Sequence, residues 1–335
     1  MLCALRNKLS SIALATGFAL AFSGAVGMQA QTSLVFPAPT SSNFQNNLTE
    51  NVGISTVTFL GKAWTVYQST FSAGQVCLTG YYAQDNFAAV CPAEITAGFP
   101  AVDGVPQATV WNGDLYLAFA QRSNHQLVIA KSSDGAHFTW TEPAGITVGV
   151  SPAIAVNGNN NQLFVAYQEN ASAHYLGIAS STDGINFTNQ ISTVYRIGHA
   201  PGMTFFNGQL VIAAFCQCDS HYLDVYTTTG SLTPTFATED TSKTLSNASQ
   251  PSLAVYNNVL LLGYMQNGER YFQTSTSYDA IHWTAAYRQT NLTNGWNGLG
   301  LAVVGNQIWG IYESQNAIAP GAANEIAYST TSNVM

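Results

Sequence analysis

Four stretches of the chain carry the same polar pair. Gln121-Arg122-Ser123-Asn124-His125 aligns with Gln168-Glu169-Asn170-Ala171-Ser172-Ala173-His174, with Gln217-Cys218-Asp219-Ser220-His221 and with Gln266-Asn267-Gly268-Glu269-Arg270. In each, Gln closes one apolar run, and His, or Arg270 in the last copy, opens the next. Gln68 holds the equivalent place in an earlier copy and Glu313 in a later one. Amides and imidazoles in this pattern support two readings. They can tie each loop to its neighbour's backbone. They can also line a repeated polar pocket whose hydrogen-bonding groups meet the hydroxyls of a glycan. The aromatics just before the Gln (Tyr67, Phe119, Tyr167, Phe215, Tyr264, Tyr312) read as packing residues. Trp296, placed in a loop entering the last copy, is the residue expected to stack on a sugar face.

Catalysis would need a departure from this symmetry: one carboxylate pair or one activated nucleophile. Glu313 is such a departure, because the other copies carry Gln there. Asp103, Glu169, Asp219 and Glu269 are further acids in or near the same loops, and His199 precedes Pro201 nearby. No Ser-His-Asp order, zinc signature or phosphate-binding loop is present, and no cofactor is implied.

The elements that position these loops follow from a repeated phrase. Ser132-Ser133-Asp134-Gly135-Ala136-His137-Phe138-Thr139 returns as Ser181-Thr182-Asp183-Gly184-Ile185-Asn186-Phe187-Thr188 and, without the Gly, as Ser277-Tyr278-Asp279-Ala280-Ile281-His282-Trp283-Thr284. The aspartates are 49 and then 96 residues apart, the second interval being two steps of 48. A worn copy lies at Thr229-Gly230-Ser231. A fixed period of this size marks stacked supersecondary units. Within each unit two apolar runs flank a short turn, often Asn-Gly, the strongest local hairpin signal. The turns fall at Gly61, Gly113, Gly158, Gly208, Asn258 and Asn306, in steps of 52, 45, 50, 50 and 48. Six units of about 48 residues result, over residues 31–335. The last is truncated, and Ser33 to Phe36 is expected to supply its outer strand and close the ring. The predicted fold is all-β, a six-bladed β-propeller of four-stranded antiparallel blades, with a five-bladed ring as the alternative.

The Ser-x-Asp-Gly-x-x-(Phe/Trp)-Thr phrase resembles the Asp box of sialidase-like propellers. The resemblance implies a turn between third and fourth strands, in which Asp134, Asp183 and Asp279 cap backbone N–H groups and Phe138, Phe187 and Trp283 pack between blades. All six are thereby structural. It also implies what a sialidase would need here: three arginines clamping a substrate carboxylate, for which Arg122, Arg196 and Arg270 are candidates, with Arg288 beside them. The Arg-Ile-Pro sequence of that family has no counterpart, since Tyr195-Arg196-Ile197-Gly198 lacks the Pro and precedes the fourth unit rather than the first. Antiparallel strands put the Asn-Gly turns and Asp boxes on one face and the Gln/His loops on the other, with the blade-to-blade connections.

Composition sets the partners. Residues 1–30 read as a signal peptide: Arg6 and Lys8, an apolar stretch from Ile12 to Phe22, then small residues. The expected mature protein is secreted or periplasmic, with no membrane insertion. Removing Arg6 and Lys8 leaves seven basic against seventeen acidic residues, a net of −10. That balance argues against nucleic acid. The low charge leaves a Ser/Thr/Asn/Gln surface suited to neutral, hydroxyl-rich partners, a glycan or oligosaccharide. Cys77, Cys91, Cys216 and Cys218 remain, an even number in an exported chain. Cys77 with Cys91 is the expected disulfide. Cys216 and Cys218, two apart on one strand, offer too few ligands for a metal. The leading expectation is a multivalent, lectin-like glycan binder. A glycoside hydrolase of the sialidase-like class and an extracellular interaction scaffold are the alternatives. Oligomeric state is left open.

Overall fold

The computed structural model describes residues 33–45, 54–69, 75–82, 85–90, 97–187, 189–217, 221–246, 250–268, 271–292, 295–314 and 325–332. The proposed signal peptide lies outside them. Among the described residues, twenty-four strands form six four-stranded antiparallel sheets, each one blade. The innermost strands are Ser55–Phe59, Val102–Trp111, Ala153–Asn157, Gly202–Phe206, Ser252–Tyr256 and Gly295–Val304. They neighbour one another in a closed ring.

Tight turns set the hairpins. Leu60-Gly61, Asn112-Gly113, Asn207-Gly208 and Asn257-Asn258 have both residues at positive φ. This is the type I′ geometry whose twist matches that of paired strands. Blade 3 differs from the sequence expectation. There the pair Asn157↔Gln162 encloses four residues, and Asn161, not Gly158, takes the left-handed conformation.

The second strand of each blade is buried along nearly its whole length, as in Leu163–Gln168 and Leu210–Phe215. A sheet sandwiched between two others must be apolar on both faces, which is why these segments read as continuous apolar runs. The core accordingly divides into six apolar clusters, one per inter-blade interface. Phe164 and Ile178 of blade 3 meet Leu210 and Ile212 of blade 4, for example. Ala63 and Tyr67 of blade 1 meet Trp309 and Ile311 of blade 6, closing the circle.

Ring closure corrects one expectation. The outer strand of blade 6 is Thr40–Gln45, paired antiparallel with Glu325–Thr331, and not Ser33 to Phe36. The earlier segment is a plug. Leu34 and Phe36 are fully buried in the interface of blades 5 and 6. Gln289 fixes them, its Oε1 accepting from Phe36 N at 3.0 Å and its Nε2 donating to Leu34 O at 2.6 Å. The stretch was expected to pair as a strand, but the side chains of Leu34 and Phe36 are spent on the core. A continuous strand begins only after Pro37 and Pro39, at Thr40.

The Asp boxes are turns between third and fourth strands. Asp183 Oδ1 accepts from the amides of Ile185 and Asn186 at 2.8 Å, and Asn186 Nδ2 donates to Oδ2 at 2.7 Å. Asp134 does the same with Ala136 and His137, and Asp279 with Ile281 and His282. The backbone and side-chain bonds from Asn186 hold Asp183 far below the usual carboxylate range, and the bonds from His137 do so for Asp134. Burial raises the Asp279 carboxyl, but the His282 and Ile281 bonds outweigh it and leave the pKa at about 2. Phe138 and Phe187 are buried between blades.

Candidate functional site

The face opposite the Asp boxes is built from the loops after the second strands and from the connectors between blades. The same clips recur at three joints. Val148 N donates to His125 O, Ile197 N to His174 O and Leu245 N to His221 O, at 2.8, 3.1 and 3.0 Å. From the other side, Asn170 N bonds Thr147 O and Gln217 N bonds Arg196 O, both at 3.3 Å. Each connector is therefore held between the histidine loop of one blade and the second strand of the next.

The three histidines share an unusual backbone. His125, His174 and His221 have φ of 59°, 52° and 57°. This left-handed region is uncommon for residues with a Cβ, though His is among the more tolerant. It turns each carbonyl toward its connector. In all three rings Nδ1 is buried without a hydrogen-bond partner. His125 Nδ1 does lie 3.4 Å from Asp103 Oδ2, within ion-pair range but outside hydrogen-bond geometry.

Between blades 3 and 4 the rings gather. His221 stacks on Phe215, with centroids 5.0 Å apart and planes 15° apart, and His199 lies 5.5 Å from the same ring. Burial lowers the His199 pKa, and the nearby His221 and His174 lower it further. Gly198, just before His199, is obligatory, since a Cβ there would fall 1.6 Å from Phe215 Cε2.

The glutamines divide. Gln168 is 3 % exposed, and its Nε2 donates to Ile197 O and Gly198 O, both at 2.8 Å. Gln68 Nε2 likewise donates to Val102 O at 3.3 Å. These two tie loop to connector. Gln121 and Gln266 are half-buried, and Gln217 is exposed.

The candidates for catalysis are scattered. Glu313 is 2 % exposed and engaged with a partner. Asp103 sits at the start of the blade 2 inner strand. Arg122 is exposed in the blade 2 loop. Arg196 ends the outer strand of blade 3, its Nε bonded to Ala173 O at 2.9 Å. Arg288 stacks on Tyr271, 3.3 Å from the ring centroid. Arg270, Glu269 and Asp219 lie outside the described residues. So do Cys91 and Cys218, while Cys77 and Cys216 are each disulfide-bonded. Trp296 is on the inner strand of blade 6, in register with Glu313, and not in a loop as expected. The strand starts early because a bulge between Trp296 and Leu299 absorbs the extra residues. Among the described residues, no group of three or more His, Cys, Asp or Glu could hold a metal ion.

Sequence reasoning missed the ring axis. A channel of about 330 Å³ runs between the inner strands, lined by residues such as Val57, Thr109, Thr204 and Val255. At the loop-bearing end it narrows to a neck of about 50 Å³ lined by Ser55, Thr56, Gln107, Gln250 and Ser252, among others. Gln250 Nε2 reaches the Pro201 and Pro152 carbonyls, linking the entries of blades 3, 4 and 5. The aligned prolines Pro152, Pro201 and Pro251 were the available signal. Each stands where its connector enters an inner strand. No acidic or basic residue lines either space among the described residues.

No protein-family model matches the chain, and a search of curated proteins finds no match. Solved structures do resemble it. A Hadza microbial sialidase superposes with a TM-score of 0.62 at 14% identity, over 88% of this chain and 68% of that one. The Aleuria aurantia lectin in complex with Fucα1-6GlcNAc gives 0.58 at 11%, over 86% and 98%. The GH43_1 enzyme from Xanthomonas citri complexed with xylotriose gives 0.54 at 12%, over 89% and 90%. At such identities the likeness is one of fold.

Proposed function

From the premise of a six-bladed, sialidase-like β-propeller, we propose that this protein is an exported carbohydrate-recognition module that binds glycan at several similar sites on its loop-bearing face. The repeated histidine carries the reading. Three blades keep the same residue in the same strained conformation, and each ring leaves Nδ1 covered and the rest half-exposed. A purely structural clip needs only the carbonyl, which any residue supplies, and Gly or Asn would supply it with less strain. Retaining imidazole three times favours a role for the ring. The low surface charge and the two sugar complexes among the similar structures agree with a carbohydrate partner.

Binding of the mature protein to a glycan array, followed by analysis of the wells for released sugar, tests the proposal. Retained signal without release is the expected result. Each single His125→Ala, His174→Ala or His221→Ala change should weaken avidity only in part, and the triple change should abolish it. Released sugar would overturn the binder reading in favour of a hydrolase. Silence in both measurements would leave an interaction scaffold.

A further inference from the structure

The joint between blades 3 and 4 differs from the joint between blades 2 and 3. At the latter, His125 has an acid beside it, Asp103. The former gathers three imidazoles: His174 from the loop of blade 3, His199 from the connector and His221 from the loop of blade 4. The His174 carbonyl clips the connector at Ile197, two residues before His199. The rings of His199 and His221 both lie against Phe215, at centroid distances of 5.5 and 5.0 Å. Arg196 ends the outer strand just ahead of the connector. It is exposed, and of its guanidinium nitrogens only Nε is engaged, on Ala173 O.

Among the described residues no acid answers these groups. Burial makes His199 less basic, His221 and His174 add to that effect, and no carboxylate opposes it. Glu169, also in the blade 3 loop, exerts its charge on Tyr167, which packs between blades 2 and 3. Blade 4 contributes the uncharged Phe215 and Gln217, and Tyr175 and Tyr222 are phenols that follow two of the histidines. Asp219 lies outside the described residues. A neutral imidazole offers one N–H and a protonated one offers two, so the cluster gains donors as pH falls. In His174 and His221 Nδ1 is covered, which leaves the half-exposed remainder of each ring to meet a ligand. Protons on neighbouring imidazoles repel one another unless a negative charge lies among them. An oxyanion supplies that charge, and the open guanidinium nitrogens match its geometry. A cation would be repelled by Arg196, and a hydroxyl would draw no proton.

We infer that this joint is an oxyanion site strengthened by acid, which takes the uronate carboxylate or sulfate ester of an acidic glycan. The site rests on the carbohydrate reading of the loop face, to which it adds a charge preference at one joint. Isothermal titration calorimetry of the mature chain at pH 5.5 and 7.5 tests it. The probes are trigalacturonate, a sulfated carrageenan oligosaccharide and, as the neutral counterpart, galactotriose. Affinity for an acidic probe should rise roughly tenfold from pH 7.5 to 5.5, since linkage allows up to about tenfold per pH unit for each proton taken up. Heats in buffers of unequal ionisation enthalpy should show that uptake, and galactotriose should show none. Which acidic probe responds tells carboxylate from sulfate. His199→Gln should lower the uptake and flatten the rise. Arg196→Gln should weaken acidic binding roughly tenfold or more at both pH values, the worth of a charge-assisted hydrogen bond. Arg122→Gln, the same charge change in the blade 2 loop, should do neither. An unfolding midpoint for each variant at each pH separates lost binding from lost structure. Acidic probes that bind no better at pH 5.5, or binding unmoved by His199→Gln and Arg196→Gln, overturn the inference. So does displacement by inorganic sulfate at equal concentration, because the joint then takes an adventitious ion only. If the array still retains neutral glycans, the oxyanion site alone falls and the proposed function stands. If the array is silent as well, both fail.

Discussion

Ala280 and Gly184 occupy the same place in two Asp boxes, and exchanging the residue types should have very unequal effects. Gly184 has φ of 74° and Ala280 of 64°, both left-handed. A Cβ on Gly184 would lie 2.7 Å from Tyr116 Cε1 and 2.9 Å from Trp111 Cζ3, in the interface of blades 2 and 3. Gly184→Ala therefore adds a conformational cost of about 1–2 kcal/mol and an overpacking cost of about 1–3 kcal/mol. The smaller unfolded-state entropy of Ala returns only about 0.4–1 kcal/mol. A net loss of about 1–4.5 kcal/mol follows. Ala280 is fully buried in the interface of blades 4 and 5, so that interface already accommodates its methyl. Ala280→Gly relieves about 1–2 kcal/mol of backbone strain. It gives back about 0.4–1 kcal/mol in chain entropy and about 0.8 kcal/mol in buried methyl. The sum is within about 1 kcal/mol of zero. Urea unfolding at pH 7, compared at unchanged m-value, measures both. A Gly184→Ala loss no larger than that of Ala280→Gly would refute the claim that the aromatic wall of blade 2 dictates Gly in the third blade's box.

Further outcomes follow from the same geometry. The Asp-box carboxyls have folded pKa values depressed below the unfolded value near 4, so their stabilisation is present above that value and lost as pH falls through it towards about 2. The Asp-box contribution to the thermal midpoint should hold from pH 7 to 5 and fall away below pH 4, and Asp183→Asn, which keeps one acceptor, should flatten that drop. The His199 pKa is depressed as well, and the linkage has the same sign: protonation favours the unfolded chain, so stability should decline as pH falls below about 6.5. His199→Gln should remove that part of the pH dependence. Gln168→Leu strips two connector carbonyls of their donor and should cost about 1–3 kcal/mol by urea unfolding. Gln289→Ala should release Leu34 and Phe36, and limited proteolysis should then cut ahead of Thr40, where the parent chain resists.

The blade number and the strand order were legible because they are local. Period, turn chemistry and alternating runs act over a few residues, and a hairpin is specified by its own turn. Asn112-Gly113 announces type I′ geometry without reference to the rest of the chain. The Gln and His positions were legible as a series for the same reason. Their roles were not, because they depend on what lies across a blade joint. The Gln168 side chain is buried on two connector carbonyls while Gln217 is exposed, and their place in the repeat is the same. Trp296 was assigned to a loop because a bulge, which is a property of two paired strands, extends the sheet past it. Ser33 to Phe36 was expected to complete the last blade, yet Gln289, some 250 residues away, makes it a plug. The axis escaped sequence reasoning altogether. Thr56, Gln107 and Gln250 belong to three blades and meet only when the ring closes, so no spacing along the chain records their proximity. Short-range sterics and hydrogen bonding thus made the fold readable from the residues alone, while the sites arise where distant segments converge and only closure of the ring defines them.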